Sequence, residues 1–160
     1  MARNWIWAVV LGTAFFVTAT AADAKCRESR VDVRGDWGQA EFRIDLADDD
    51  DERAQGLMFV EEMARDKGML FIYEQPQHAT FWMRNTLIPL DMIFIGEDGV
   101  VRQIHENAIP MDETVIDGGD GVLAVLEVNA GVVADFGIAP GDVLRHPAFG
   151  EDAVWACPAE

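Results

Sequence analysis

The 160-residue chain has one serine, Ser29, and two lysines, Lys25 and Lys67. Ser29 sits in no G-x-S-x-G turn, so a serine-hydrolase arrangement is excluded. A threonine nucleophile outside the N-terminal segment would have to be Thr80, Thr86 or Thr114, none of which has an activating neighbour in sequence. The three histidines, His78, His105 and His146, fall in separate segments without H-x-x-H or H-x-x-x-H spacing, which leaves a zinc site without clustered ligands. Positive charge is scarce as well: 12 Lys and Arg face 29 Asp and Glu, for a net charge of −17. Such a surface repels phosphate backbones and anionic headgroups, so nucleic acid is not an expected partner. After the first apolar run, no other is long enough to span a bilayer.

That first run has the three parts of an export signal. Arg3 supplies a positive start, Trp5 to Val17 an apolar core, and Ala22-Asp23-Ala24 a small-residue cleavage site. The apolar core, about 13 residues, is short for a membrane span of roughly 20. The expectation is a signal peptide over residues 1–24 and a periplasmic or secreted single domain over 25–160, with an uncleaved anchor as the alternative. The only cysteines, Cys26 and Cys157, lie at opposite ends of that domain, and an exported protein with two cysteines is expected to join them. The bond would close a loop of about 130 residues, a restriction of the unfolded chain that contributes roughly 4–5 kcal/mol in the chain-entropy model. Lys25 before Cys26 argues against lipidation.

Strand signals dominate the domain. Val31 and Val33, the Gly35-Asp36-Trp37-Gly38 turn, and the alternation of Ala40, Phe42, Ile44 and Leu46 predict a hairpin. The acidic run Asp48 to Glu52 suits a helix N-terminus, and ERAQGLMF predicts a short helix reaching toward Arg65. A calcium loop is disfavoured, because the glycine and distal glutamate of an EF-hand are missing. GMLFIY, HATFWMR, LDMIFI, VVRQIH, VLAVLEV and DVLRH read as further strands. Turns are expected at Glu74-Gln75-Pro76 and Gly96-Glu97-Asp98-Gly99, and a loop from Asn107 to Gly121. Asn129 caps a second predicted helix, AGVVADF, which ends at Gly137. The expected fold is mostly β: a compact, mainly antiparallel barrel or jelly-roll-like sandwich of seven or eight strands with two short helices.

Residues 78 to 95, HATFWMRNTLIPLDMIFI, are nearly all apolar, yet contain Arg84, Asn85 and Asp91. An unpaired buried charge is costly, so Asp91 needs a partner or a cavity. Strand alternation places Ala79, Phe81, Met83 and Asn85 on one side, which apart from Asn85 reads as core, and His78, Thr80, Trp82 and Arg84 on the other. The second set combines an indole, a guanidinium, an imidazole and a hydroxyl, a mixture suited to gripping sugars or peptides. The competing reading has Trp82 covered by a loop and Arg84 paired with a surface acid.

ERAQGLM, GMLFIY, FWMRNTLIPLDMIFI, VLEVNAG and IAPGD occur here in an order that resembles the uncharacterised bacterial and archaeal family catalogued as domain of unknown function 192. The resemblance covers about Val31 to Leu144. It implies a compact β-rich barrel or jelly roll, often behind a signal peptide, and no established activity. The positions it marks are Arg53, Gly56, Met58, Gly68, Met69, Met83, Asn85, Thr86, Asp91 and Glu127.

The residues support one main reading and two alternatives. The main one is an exported β domain that binds a small ligand or a protein partner without catalysing a reaction. Its candidate site comprises Trp82, Arg84, Asn85, Thr86, Asp91, Arg53 and Glu127, and no cofactor is expected. The first alternative is an enzyme using Asp91 and Glu127 as a carboxylate pair with Arg53 positioning an anion. Against it, Arg53 could simply pair with either strand carboxylate. The second is a copper protein using His78 and Met83, although Met58, Met69, Met83 and Met92 sit in apolar elements where methionine usually fills core gaps.

Overall fold

A computed structural model of the chain describes residues 25–159; the predicted signal peptide lies outside the described residues. Seven strands form one curled, half-barrel sheet: β1 (Arg30–Gly35), β2 (Gly38–Ala47), β3 (Lys67–Phe81), β4 (Leu90–Ile95), β5 (Val101–Ala108), β6 (Ile116–Asn129) and β7 (Val143–Arg145). Two short helices, α1 (Asp50–Gln55) and α2 (Val132–Phe136), interrupt the order. The strands lie in the sequence β5-β4-β6-β3-β2-β1-β7. The two edges meet near the start of β5, where Val101 N donates to Asp142 O at 2.8 Å and Leu144 N to Gly99 O at 2.8 Å. The expected mostly β fold with two short helices is therefore the observed one.

β1 and β2 form the predicted hairpin, with Gly35 opposite Gly38. Gly38 takes a positive φ of 123°, which a side chain would resist. Asp49 caps α1 by accepting the Glu52 amide at 2.8 Å, as the acidic run suggested. The helix stops at Gly56, with φ 49°, and does not continue toward Arg65. The reason is topological: β2 and β3 pair in parallel, so residues 48–66 must cross back over the sheet.

β3 also differs from the expected two strands. It runs unbroken through Glu74-Gln75-Pro76, bending at register shifts against β6 between Ile72 and Thr80. Proline is tolerated there because an irregular register leaves an amide position without a ladder partner. β6 accordingly begins at Ile116, inside the predicted loop, since its first residues pair with the far half of β3. α2 is preceded by Gly131 in a left-handed conformation, and the Asn129 side chain instead donates to Met63 O and Ala64 O at 3.0 and 3.1 Å.

Each face of the sheet carries its own core. One contains Val33, Phe42, Leu70, Ile93, Leu126 and Val133, closed by α2. The other contains Leu57, Phe71, Met83, Met92, Phe94 and Val125, covered by the segments that follow α1 and β3. β4 is buried along its whole length because it is covered on both sides. Where β3 meets β6, a Cβ on Gly68 would stand 2.4 Å from the Glu127 carbonyl oxygen and against Val128 and Leu126 of the first core, so only glycine lets the two strands close there. Cys26 and Cys157 form a disulfide with Cα atoms 5.8 Å apart, tying the ends of the described chain together.

Candidate functional site

A cleft of about 210 Å³ opens on the face of the second core. Phe71 and Tyr73 reach it from β3, Glu127 from β6, and Thr80, Phe81 and Trp82 from the end of β3 and just beyond. Arg53, Met58, Arg84 and Thr86 complete its walls. Strand register explains the convergence. Met69 lies opposite Glu127, and Phe71 opposite Val125, so residues 69, 71, 73 and 127 share one side of the sheet. Phe71 meets Phe81 edge to face at 5.2 Å, which stiffens one wall.

Glu127 is the unusual member. It is 4% exposed, and among the described residues no hydrogen bond or ion pair holds its carboxyl group. Burial pushes its pKa up to about 8, so at neutral pH it is a protonated acid that can both donate and accept. Tyr73 is raised too, first by burial, with its Gln77 hydrogen bond and the Arg53 charge pulling the other way.

Arg53 does not pair with a strand carboxylate. Its guanidinium donates to the carbonyls of Asp48 at 2.6 Å and Ile72 at 2.8 Å and to Asp50 Oδ1 at 2.5 Å, and stands 5.7 Å from the Tyr73 ring centre. It thus staples α1 to β3 as a fixed wall of the cleft. At the rim, Arg84 stacks 5.4 Å from the centre of the Trp82 ring. Trp82 is 45% exposed, so no loop covers it.

Five of the seven predicted site residues therefore line one cleft: Arg53, Trp82, Arg84, Thr86 and Glu127. Asn85 lies next to it, with Nδ2 3.8 Å from Met58 Sδ. Asp91 does not belong. It is fully buried on the opposite face, where Oδ1 accepts the Asn107 amide at 2.9 Å and Oδ2 the Val133 amide at 3.0 Å. Asp91 and Glu127 consequently do not form a carboxylate pair. His78 and Met83 are also separated, since His78 is exposed and bonded to Asp120 at 2.7 Å while Met83 is buried in the second core. Among the described residues, no cluster of three His, Cys, Asp or Glu could hold a metal ion.

Phe71, Tyr73 and Phe81 were not singled out from the sequence. The alternation of Met69, Phe71 and Tyr73 was the available signal, but their position beside Glu127 depends on the β3–β6 register. A wider depression of about 690 Å³ beside Trp37 and Asp142 is less suited to a ligand. Its main polar groups are already joined, with Trp37 Nε1 donating to Asp142 at 2.7 Å.

The DUF192 family, described as "Uncharacterized ACR", matches residues 31–146. The chain belongs to the DUF192 family. The match spans every strand but the first residue of β1, and so includes the whole cleft. A crystal structure from Sinorhizobium meliloti 1021, described provisionally as a transcription regulator, is 43% identical with a TM-score of 0.71, covering 77% of this chain and 96% of that one. A protein of unknown function from Novosphingobium aromaticivorans DSM 12444 is 44% identical with a TM-score of 0.71, covering 83% and 99% respectively. No curated protein matches.

Proposed function

We propose that this DUF192 domain is an exported binding module that takes a small polar ligand, a sugar or a peptide fragment, into the Glu127 cleft without transforming it. The observation that carries the reading is the carboxyl group of Glu127, which no protein group among the described residues bonds and which opens onto a cleft with aromatic walls although the residue is only 4% exposed. Facing the cleft, that group has its hydrogen-bonding capacity free for a ligand hydroxyl or amide, which replaces the water it would otherwise meet there. The neutral acid donates one hydrogen bond and accepts others, as a sugar hydroxyl or a peptide group requires. Trp82 and Arg84 at the rim offer stacking and directed donors. The cleft volume restricts the ligand to about one sugar ring or one to two peptide residues. Export is supported by the three-part pattern of residues 1–24 and by the Cys26–Cys157 bond, which suits an oxidising compartment.

The test is titration with a panel of monosaccharides and dipeptides, followed by calorimetry and Trp fluorescence. The reading requires a compound whose affinity falls about tenfold or more in Glu127→Ala and in Trp82→Ala, with folding retained. If neither panel contains a binder, or if both variants bind as the wild type does, the reading fails. The copper and two-carboxylate alternatives have no comparable support, because His78 is exposed while Met83 is buried in the second core, and Asp91 and Glu127 lie on opposite faces of the sheet.

A further inference from the structure

Three segments lie side by side next to the mouth of the cleft. Phe59 N donates to Asn85 O at 2.9 Å, Met83 N to Asp112 O at 2.8 Å, and Met111 N to Thr86 O at 3.1 Å, while Met58 and Thr86 form a bridge. Residues 82–87 thus run between residues 58–59 on one side and 109–112 on the other. Among the described residues eight large apolar side chains are exposed, and six come from these segments or their immediate continuation. They are Phe59, Trp82, Leu87, Ile109, Met111 and Val115, between 43% and 67% exposed. Single exposed apolar residues are ordinary, but such a concentration at one place is not.

Two of the six are also held against their backbone preference. Phe59 and Met111 have φ values of 65° and 63°, in the left-handed region that bulky side chains avoid. Asparagine or glycine would suit both the backbone and the water better. Residues kept in a strained conformation and exposed to solvent mark a surface shaped for contact. The hydrogen bonds across the three segments hold that surface in place before any partner arrives, which limits the entropy lost on binding.

Charge identifies the occupant. Exposed Glu61, Glu62, Glu106 and Glu113 flank the apolar residues, with Asp112 among them, and the whole chain carries −17. Arg84 is the basic residue of the middle segment. An anionic bilayer would be repelled, whereas basic side chains would find counter-charges around an apolar centre. We infer that the face formed by residues 58–59, 82–87 and 109–115 docks a polypeptide segment of another protein that combines apolar and basic side chains. This surface shares Met58, Trp82, Arg84 and Thr86 with the rim of the Glu127 cleft, but its apolar residues Phe59, Leu87, Ile109, Met111 and Val115 lie outside the cleft lining, so docking there does not require a ligand in the cleft.

The experiment pans a displayed library of short random peptides against the disulfide-bonded protein and against a Phe59→Asn/Met111→Asn double variant. Asparagine accepts the left-handed backbone, so the variant should melt no lower than the wild type. The expected result is recovery of peptides rich in Lys or Arg together with Leu, Phe or Trp, about tenfold or more above the double variant. Binding of their synthetic copies should weaken as salt rises. Leu87→Ser/Ile109→Ser serves as the second variant if the first does not fold. Glu127→Gln should leave recovery unchanged; a loss there would mean the peptides occupy the cleft and would overturn the inference. No enrichment, equal recovery on wild type and variant, or selection of acidic peptides also overturns it. So does a face that instead binds phosphatidylcholine vesicles or pairs with a second copy in sedimentation.

Discussion

Asp91 and Glu127 stand on neighbouring strands, one position out of register, and face opposite sides of the sheet. Asp91 pairs with Val128, and Met92 with Glu127, so the two carboxyl groups alternate across it. Their chemistry diverges accordingly. Asp91 spends both oxygens on backbone amides, pinning the start of α2 through Val133 and the end of β5 through Asn107. Glu127 has no such partner and faces the cleft.

Asp91→Ala should therefore cost stability and spare the cleft. Two hydrogen bonds to a charged acceptor are lost, and the buried Val133 amide is left unsatisfied, for a combined loss of about 3–5 kcal/mol. Denaturant midpoints would show it directly. Asp91→Asn keeps one acceptor oxygen and should lose about half as much. Ligand affinity of the folded fraction should be unchanged in both. An affinity loss comparable to that of Glu127→Ala would return Asp91 to the site.

Glu127 makes stability fall as pH rises through the weakly acidic and neutral range. Its folded pKa, about 8, lies above the unfolded value of 4.5. Below pH 4.5 both states hold the proton and the group costs nothing differential. Between pH 4.5 and 8 the unfolded chain releases the proton while the folded one keeps it, so stability falls as pH rises and the loss is complete above 8. Glu127→Gln cannot ionise, and relative to wild type it should gain on the order of 4–5 kcal/mol between pH 4 and pH 9. Paired urea titrations across that range isolate this one group from the other acids. A difference that does not change with pH would mean that the carboxyl group is solvated in the folded state.

How much of this was legible beforehand depends on the range of the interaction. The β1–β2 hairpin, the acidic run at the start of α1 and the Gly137 stop are written in neighbouring residues, and all appear as read, with Asp49 the aspartate that caps. The outward set His78, Thr80, Trp82 and Arg84 was also correct in its exposure. What could not be read was pairing at a distance. The parallel β2–β3 contact turned a predicted helix extension into a crossover. The Met69–Glu127 register set Phe71 and Tyr73 beside Glu127, and the shifts between Ile72 and Thr80 turned two expected strands into one whose far end brings Phe81 to the same cleft. Whether Asp91 and Glu127 shared a face depended on the β4–β6 register. Each sits in an apolar run, and a run buried on both faces has no alternation to reveal its direction.

The chain ends supply a third prediction. Cys26–Cys157 closes 131 residues of sequence, and the same end of the molecule is held by other contacts. His146 Nδ1 accepts the Ala148 amide at 3.2 Å, so the ring is neutral and Nε2 donates to Glu28 O at 3.1 Å. Trp155 is contacted by the guanidinium groups of Arg34 and Arg145 at 4.2 and 4.5 Å, and Arg145 pairs with Asp32 at 2.8 Å. Because these contacts survive reduction, Cys26→Ser/Cys157→Ser should fold, with a loss of about 2–4 kcal/mol at pH 7.5. Burial lowers the His146 pKa below 6.5, so its contribution is present above that value and is lost as pH falls through the lowered folded pKa. Once the disulfide is absent, protonating His146 releases Glu28 from an end that nothing covalent holds. Hydrogen exchange should then show the amides of β1 and β7 opening at pH 5 well before β4 and β6, with the ends remaining protected at pH 7.5. Equal protection at both pH values would show that His146 does not hold the Glu28 segment, and that the arginine–tryptophan contacts alone keep the ends together.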